Sequence, residues 1–305
     1  MTDLIIQEVG PRDGLQNESA LLTLPQKLEL IRRLTAAGIR RLEAGSFVHP
    51  KAVPAMAESE EVFAQLLKED PEPAVTYSAL ALNAKGFERA LAAGAREIHF
   101  SFGVTSSFNR QNQRAEPEES FATFLSLLPQ AREKGIRTTL TLSVSWGCPF
   151  EGWVDPGRVL SFVERAGRAG FPEIVLADTI GVAVPSQVRR LTEEARKAAP
   201  QAIIGGHFHN TRNTGIANAY AALEGGARVL DASIGGLGGC PFAPGATGNI
   251  ATEDLVYMVE GMGISTGIHL EELIEVAKWL QDVLGHPLES SLLRAGPFRP
   301  RGAIA

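Results

Sequence analysis

Two histidines separated by one residue, His207-Phe208-His209, form the sharpest chemical signal in the chain. On a β-strand, residues i and i+2 share a face, so both imidazoles can point at one metal ion. Hydrogen-bonded barrel histidines show the same spacing, so the pair needs further ligands to mean a metal. Asp13 offers a carboxylate and Asn249 an amide oxygen. Such a set, with positions left open for substrate, suits Mg²⁺ or Mn²⁺. Zn²⁺ would more often recruit a thiolate or a third histidine. Arg12, next to Asp13, is either a surface cation or a group that stabilises an enolate oxygen beside the ion. Glu43 could orient Arg12 or move a proton. Asp178 is either part of the same site or the cap of the helix that starts near Pro185.

The stretch from Gly235 to Asn249 holds six glycines in fifteen residues. That density implies positive φ values, mobility or close approach to a ligand. Cys240 within it is a candidate acid or base, with a buried small hydrophobe as the alternative. Cys148, in "WGCPFEG", is assigned no chemistry. Arg110, in "SFNRQN", could reach a phosphate or lie in a solvated loop. His49, His99, His269 and His286 show no pairing pattern and read as structural or surface residues.

Elements that could bring these groups together are visible as an alternation. Strands are expected at Leu4–Val9, Arg40–Ala44, Ala74–Ser78, Glu97–Phe102, Thr138–Val144, Glu173–Ala177, Ala202–Phe208 and Arg228–Ser233. Helices are expected at Leu24–Ala37, Ala84–Ala93, Pro117–Lys134, Pro156–Ala169, Pro185–Ala198, Asn213–Glu224 and Leu270–Leu284. Several open near a proline and stop at Gly38, Gly94, Gly135, Gly170 or Gly225. Eight strands alternating with helices in 305 residues favour an α/β, (β/α)₈ TIM barrel over a doubly wound sheet. No GxGxxG follows the first strand, which weakens a Rossmann reading. The expected organisation is one catalytic domain, with the barrel over about 3–265 and a short C-terminal helical extension over about 266–305. Catalytic groups of TIM barrels sit at the C-terminal strand ends. Here those ends carry Asp13, Glu43, Asp178, His207 and His209, and strands one, seven and eight would be neighbours.

The formal net charge is −6 with both signs interspersed, which argues against a nucleic-acid groove. No run of eighteen apolar residues and no basic-then-apolar N-terminus occurs, so neither a membrane span nor a secretion signal is expected, and the reading is cytoplasmic. Two cysteines are too few for a disulfide framework.

The segments "EVGPRDGLQNE" (Glu8–Glu18), "EAGSFVHPKAVPAM" (Glu43–Met56), "GCPFEG", "ADTIGVAVP" and "GGLGGCPFAPGATGNIATEDLVYM" closely resemble the 3-hydroxy-3-methylglutaryl-CoA lyase family of the DRE-TIM metallolyases, over nearly the whole chain. The resemblance implies Asp13, His207, His209 and Asn249 as ligands of Mg²⁺ or Mn²⁺, Arg12 as the cation that steadies an enolate, and Cys240 as a proton-transfer residue. It implies catalytic or supporting roles for Glu43 and Asp178, and places Gln16 and Ser46 near an acyl-CoA substrate. Members cleave that substrate to acetyl-CoA and acetoacetate, and many are homodimers. The chain departs from the family pattern where "HCHDTYG" becomes "HFHNTRN", with Asn210, Arg212 and Asn213. Thr139 and Thr141 stand where the fifth strand usually carries Arg and Tyr, and Leu176 replaces a polar residue. These positions are expected to line the acyl pocket, which leaves open a different 3-hydroxyacyl-CoA. Further alternatives are a related Claisen-type synthase or aldolase and, outside enzymes, an acyl-CoA-binding regulatory barrel.

Overall fold

A computed structural model describes residues 4–69, 74–239 and 248–298. Eight parallel strands close into a barrel: β1 (Ile5–Glu8), β2 (Arg41–Ser46), β3 (Thr76–Ala81), β4 (Glu97–Gly103), β5 (Arg137–Ser143), β8 (Glu173–Asp178), β9 (Ile203–Phe208) and β10 (Val229–Ala232). A two-stranded hairpin, β6 (Gly147–Cys148) and β7 (Gly152–Trp153), interrupts the series after β5. Around the ring the order is β1, β10, β9, β8, β5, β4, β3, β2, so closure sets β1 between β2 and β10. The (β/α)₈ expectation therefore holds.

Strand alternation explains what fills this barrel. On β4, Ile98, Phe100 and Phe102 face outward, while Glu97, His99 and Ser101 face the interior. Phe100 stacks on Phe124 with ring centroids 4.8 Å apart, and Phe102 meets Phe162 edge-on at 4.9 Å. These partners belong to α5 (Pro117–Glu133) and α6 (Pro156–Ala169), so the apolar core is the shell between strands and helices. Inside, Arg41 pairs with Glu97, and its Nη1 lies 2.9 Å from Glu173 Oε2. Thr139 Oγ1 donates to Glu97 Oε1 at 3.2 Å and accepts from Arg41 Nη2 at 3.3 Å. The floor beneath the mouth is thus an ion-pair layer, with every charged group partnered as burial requires.

Helices α1 (Leu24–Ala36), α3 (Ala84–Ala92), α7 (Pro185–Ala198), α8 (Gly215–Glu224) and α10 (Leu270–Leu284) fall close to the expected spans. Four more helices were not anticipated: α2 (Ser59–Glu69), α4 (Ser106–Gln113), α9 (Thr252–Gly261) and α11 (Ser291–Ala295). The "SFNRQN" segment is thus helical. It buries only Phe108 and Asn109, so it shows no apolar stripe. The left-handed residue after α8 is Gly226 (φ +91°), with Gly225 still in the right-handed region. Helix α10 packs against α1: His269 N donates to Ala37 O at 2.8 Å, and Arg33 lies 4.8 Å over the Trp279 ring.

Candidate active site at the barrel mouth

Val9 directly follows β1, and its carbonyl accepts from the amides of Arg12, Asp13 and Gly14 at 3.2, 2.7 and 3.2 Å. The resulting wide turn, Gly10–Gly14, swings Arg12 and Asp13 over the barrel opening. Gly14 fits because a Cβ there would meet Ser233 Oγ at 2.7 Å and Leu237 Cβ at 3.0 Å. Across the closure, β10 brings Asp231 level with His207 of β9. His209 follows β9 and bridges to Asn249, at the end of the glycine-rich stretch.

Asp13, His207 and His209 thereby converge, with one donor atom from each lying within 4.8 Å of the others. His207 Nε2 stands 3.9 Å and His209 Nε2 4.0 Å from Asp13 Oδ2. Ligands around one Mg²⁺-sized ion are separated by about 3 to 4 Å, so this spread is close to a ligand shell. Asn249 donates from Nδ2 to Asp13 Oδ2 at 2.8 Å and to Leu237 O at 3.0 Å. Its Oδ1 is buried without a partner, as an atom built for a further ligand would be. The residues present fit a hard divalent cation.

Electrostatics agree with that fit. Burial opposes ionisation of Asp13, but Arg12 and the two imidazoles outweigh it and hold the carboxyl at about 2. Burial, then the neighbouring His207, pushes His209 down to about 4, so its ring is neutral and able to ligate at neutral pH. Burial would also lower His207, but Asp231 reverses the effect: His207 Nδ1 lies 3.1 Å from Asp231 Oδ2. That contact directs Nε2 toward Asp13.

Arg12 bonds from Nη1 to Asp13 Oδ1 at 2.6 Å and from Nε to Glu43 Oε2. Burial would raise the Glu43 pKa, yet Arg12 and His99 keep it below the ordinary value. Gln16 Nε2 donates to Asp13 Oδ1 at 3.2 Å. These groups line a cavity of about 180 Å³ whose opposite wall carries Leu80, Leu82, Ser101, Phe108, Thr141 and Ser143. Just past β5, the β-branched Val144 adopts φ +55°, an uncommon conformation for such a side chain. Its amide donates to Thr179 Oγ1 at 2.9 Å.

The remaining expected residues lie elsewhere. Asp178 accepts from the Val182 and Ala183 amides at 3.0 and 2.9 Å, fixing the loop that leads to α7, and burial raises its pKa. Ser46 is buried beside Ser59, whose Oγ bonds its backbone, and the Ser46 hydroxyl has no partner. Thr139, expected in the acyl pocket, belongs to the floor below it, held by Arg41, Glu97 and Glu173. Arg110 is turned to Glu116 at 2.9 Å and is not part of the cavity. Asn210 Oδ1 caps Gly215 at 3.0 Å, and Arg212 bonds the carbonyls of Ile180 and Gly181 at 3.0 and 2.9 Å. These last two line a separate recess behind Asn249, because the turn after β9 carries them out of the barrel axis. Cys240 lies outside the described residues; Gly239, just before it, lines the cavity and its carbonyl accepts from Asn17 at 2.9 Å.

Two residues of the site were not expected. Asp231 and His99 both sit inside strands, where the sequence shows them only as polar members of an alternating run. "EIHFSFG" puts His99 in step with Glu97 and Ser101, and that polar face was the available signal.

A parallel barrel with a carboxylate–imidazole cluster and a guanidinium at its C-terminal mouth defines a class of (β/α)₈ enzyme suited to stabilising negative charge beside a cation. The HMGL-like family model matches residues 3–280. The chain is 42% identical to (R)-citramalyl-CoA lyase of Chloroflexus aurantiacus, over 99% of this chain and 97% of that protein. It is 44% identical to hydroxymethylglutaryl-CoA lyase of Pseudomonas mevalonii, over 91% of each. An HMG-CoA lyase from Acinetobacter baumannii, solved with coenzyme A and 3-methylmalate, superposes with a TM-score of 0.92 at 42% identity, covering 99% of this chain and 98% of that one. The chain belongs to the HMGL-like family and is a carbon–carbon lyase.

Proposed function

We propose that the protein cleaves a 3-hydroxyacyl-CoA thioester by retro-Claisen chemistry, with 3-hydroxy-3-methylglutaryl-CoA as first substrate and acetyl-CoA and acetoacetate as products. The observation that carries this reading is Arg12 bonded to Asp13 on the wall where His207 and His209 converge. Asp13, His207, His209 and the free amide oxygen of Asn249 would hold Mg²⁺ or Mn²⁺. Such an ion lowers the pKa of a substrate hydroxyl and neutralises charge on its oxygens.

The chain's own groups supply the rest. When the bond breaks, charge moves onto the thioester oxygen, and Arg12 is placed to receive it. Glu43 holds Arg12 from the other side, so the guanidinium is already oriented when charge develops. Gln16 and Thr141 line the cavity and are in place to contact substrate. Cys240, following the cavity-lining Gly239, is the proposed acid or base for the carbon or hydroxyl proton. Asp178 acts through the loop it anchors.

A second substrate is favoured by the likeness to (R)-citramalyl-CoA lyase and by the hydroxyl-bearing wall, where Ser101 Oγ and Ser143 Oγ are 3.1 Å apart. Small hydroxyl side chains here suit a polar substituent. The same bond cleavage in citramalyl-CoA releases pyruvate. The test is to incubate the protein with Mn²⁺ and each thioester, then assay acetoacetate and pyruvate. Metal-dependent release of either supports the chemistry, and the faster product identifies the substrate. Release that survives chelation, or none from either thioester, overturns the reading.

A further inference from the structure

Each ring nitrogen of His99 faces a carboxylate oxygen. Nδ1 lies 3.2 Å from Glu43 Oε1, and Nε2 lies 3.0 Å from Glu97 Oε1. A neutral imidazole has one N–H and one lone pair, so here it would set that lone pair against a carboxylate. Only the doubly protonated ring turns positive charge toward both, as a hydrogen bond to Glu97 Oε1 and an ion-pair contact to Glu43 Oε1, which has no aligned hydrogen-bond donor. The wider arrangement says the same. Ion pairs run without a break from Asp13 through Arg12, Glu43, His99, Glu97 and Arg41 to Glu173. Every member is opposite in charge to its neighbours only when His99 carries a proton on each nitrogen.

We infer that His99 is a standing imidazolium and the positioning residue that fixes Glu43, and through it Arg12, at the catalytic mouth. The positioning role rests on reading Arg12 as the cation that receives charge from the substrate. Glu43 is almost fully buried, and its Oε2 is occupied by Arg12. Its Oε1 has His99 as its sole charged neighbour among the described residues. Without the imidazolium, burial would drive the Glu43 carboxyl toward its neutral form, which holds a guanidinium far more weakly.

The charged groups around the ring are Glu43 and Arg41 from β2, Glu97 from β4, Glu173 from β8 and Arg12 from the turn after β1. The flanking strands pair Leu80 and Thr139 with His99, and neither titrates. Burial alone would depress the imidazole, but the two carboxylates prevail and lift it to about 9.

Nitrogen NMR of the full-length protein labelled with ¹⁵N-histidine tests the charge, His99 being assigned by its loss in His99→Gln. Both ring nitrogens should remain protonated from pH 6 to above 8, and Glu43→Gln should lower that titration by about one pH unit or more. A neutral ring at pH 7 overturns the inference. In steady-state assays, folded His99→Gln should lose about tenfold or more in kcat, with KM nearly unchanged and bound Mn²⁺ retained. Unchanged kcat in that folded variant overturns the positioning role. If the native protein cleaves no 3-hydroxyacyl-CoA while His99 stays doubly protonated and responds to Glu43→Gln, the charge assignment and its coupling to Glu43 stand, and the proposed reaction falls.

Discussion

At the scale of single residues, the site depends on which nitrogen of each imidazole is free. His207 has Asp231 Oδ2 at Nδ1, so its Nε2 is the nitrogen left for Asp13 and a shared ligand. A metal-binding histidine gains basicity and a fixed ring plane from such a carboxylate. Replacing Asp231 with alanine removes the acceptor and lets the ring turn. Mn²⁺ affinity, measured by calorimetric titration, should weaken by about 10- to 100-fold in Asp231→Ala while the fold is kept. Unaltered affinity would mean that strand packing alone orients His207.

At the scale of elements, the segment from Gly248 to Ile250 sets the position of Asn249. Gly248 O accepts from Asn210 N at 3.0 Å, and Ile250 N donates to Phe208 O at 3.1 Å, so Asn249 is held against the end of β9 from both sides. A Cβ on Gly248 would press on Gly236 O, on Leu237 C at 2.6 Å and on Gly238 N at 2.7 Å. All three are backbone atoms and cannot rotate away. Gly248→Ala should therefore shift Asn249 and lower kcat/KM by about a hundredfold, with much less effect on overall helix content by circular dichroism. An active, fully metallated Gly248→Ala would show that this segment tolerates displacement.

The same element scale shows what the sequence reveals and what it hides. Strands were legible because outward residues such as Leu140, Leu142, Phe100 and Phe102 are apolar and glycines mark the preceding helix stops. Asp13, His207 and His209 were legible because they fall at strand ends. Helix α4 was not, since its buried residues are too few to show a period. His99 and Asp231 were not, because an inward-facing polar residue in mid-strand has meaning only once closure reveals what stands across the barrel. Thr139 misled for a related reason: it lies one inward step, two residues, below Thr141, and that step separates floor from cavity.

At the scale of the whole molecule, several buried groups retain protons that the unfolded chain would give up, which sets how stability responds to pH. Burial pushes Glu8 up to about 7 and Glu253 up to about 8, from ordinary values near 4.5. For His99, burial is outweighed by Glu43 and Glu97, which lift it to about 9 from 6.5. Above pH 6.5 the unfolded chain has already released these protons while the folded chain keeps them, so folded stability must fall as pH rises toward 9. His209 acts in the opposite sense, but its window runs from about 4 to 6.5 and is over before this one begins. In metal-free protein, the melting temperature should drop by about 5 °C or more between pH 6.5 and 9. Glu253 accepts the Gly235 amide with both oxygens at 3.1 Å, and glutamine keeps an acceptor there without the charge. Glu253→Gln should accordingly make the fall between pH 6.5 and 8 shallower and leave the His99-dependent fall, which runs from about 6.5 to 9. A melting temperature that holds or climbs across that range in the native sequence would mean these groups exchange their protons with solvent as freely in the folded state as in the unfolded one.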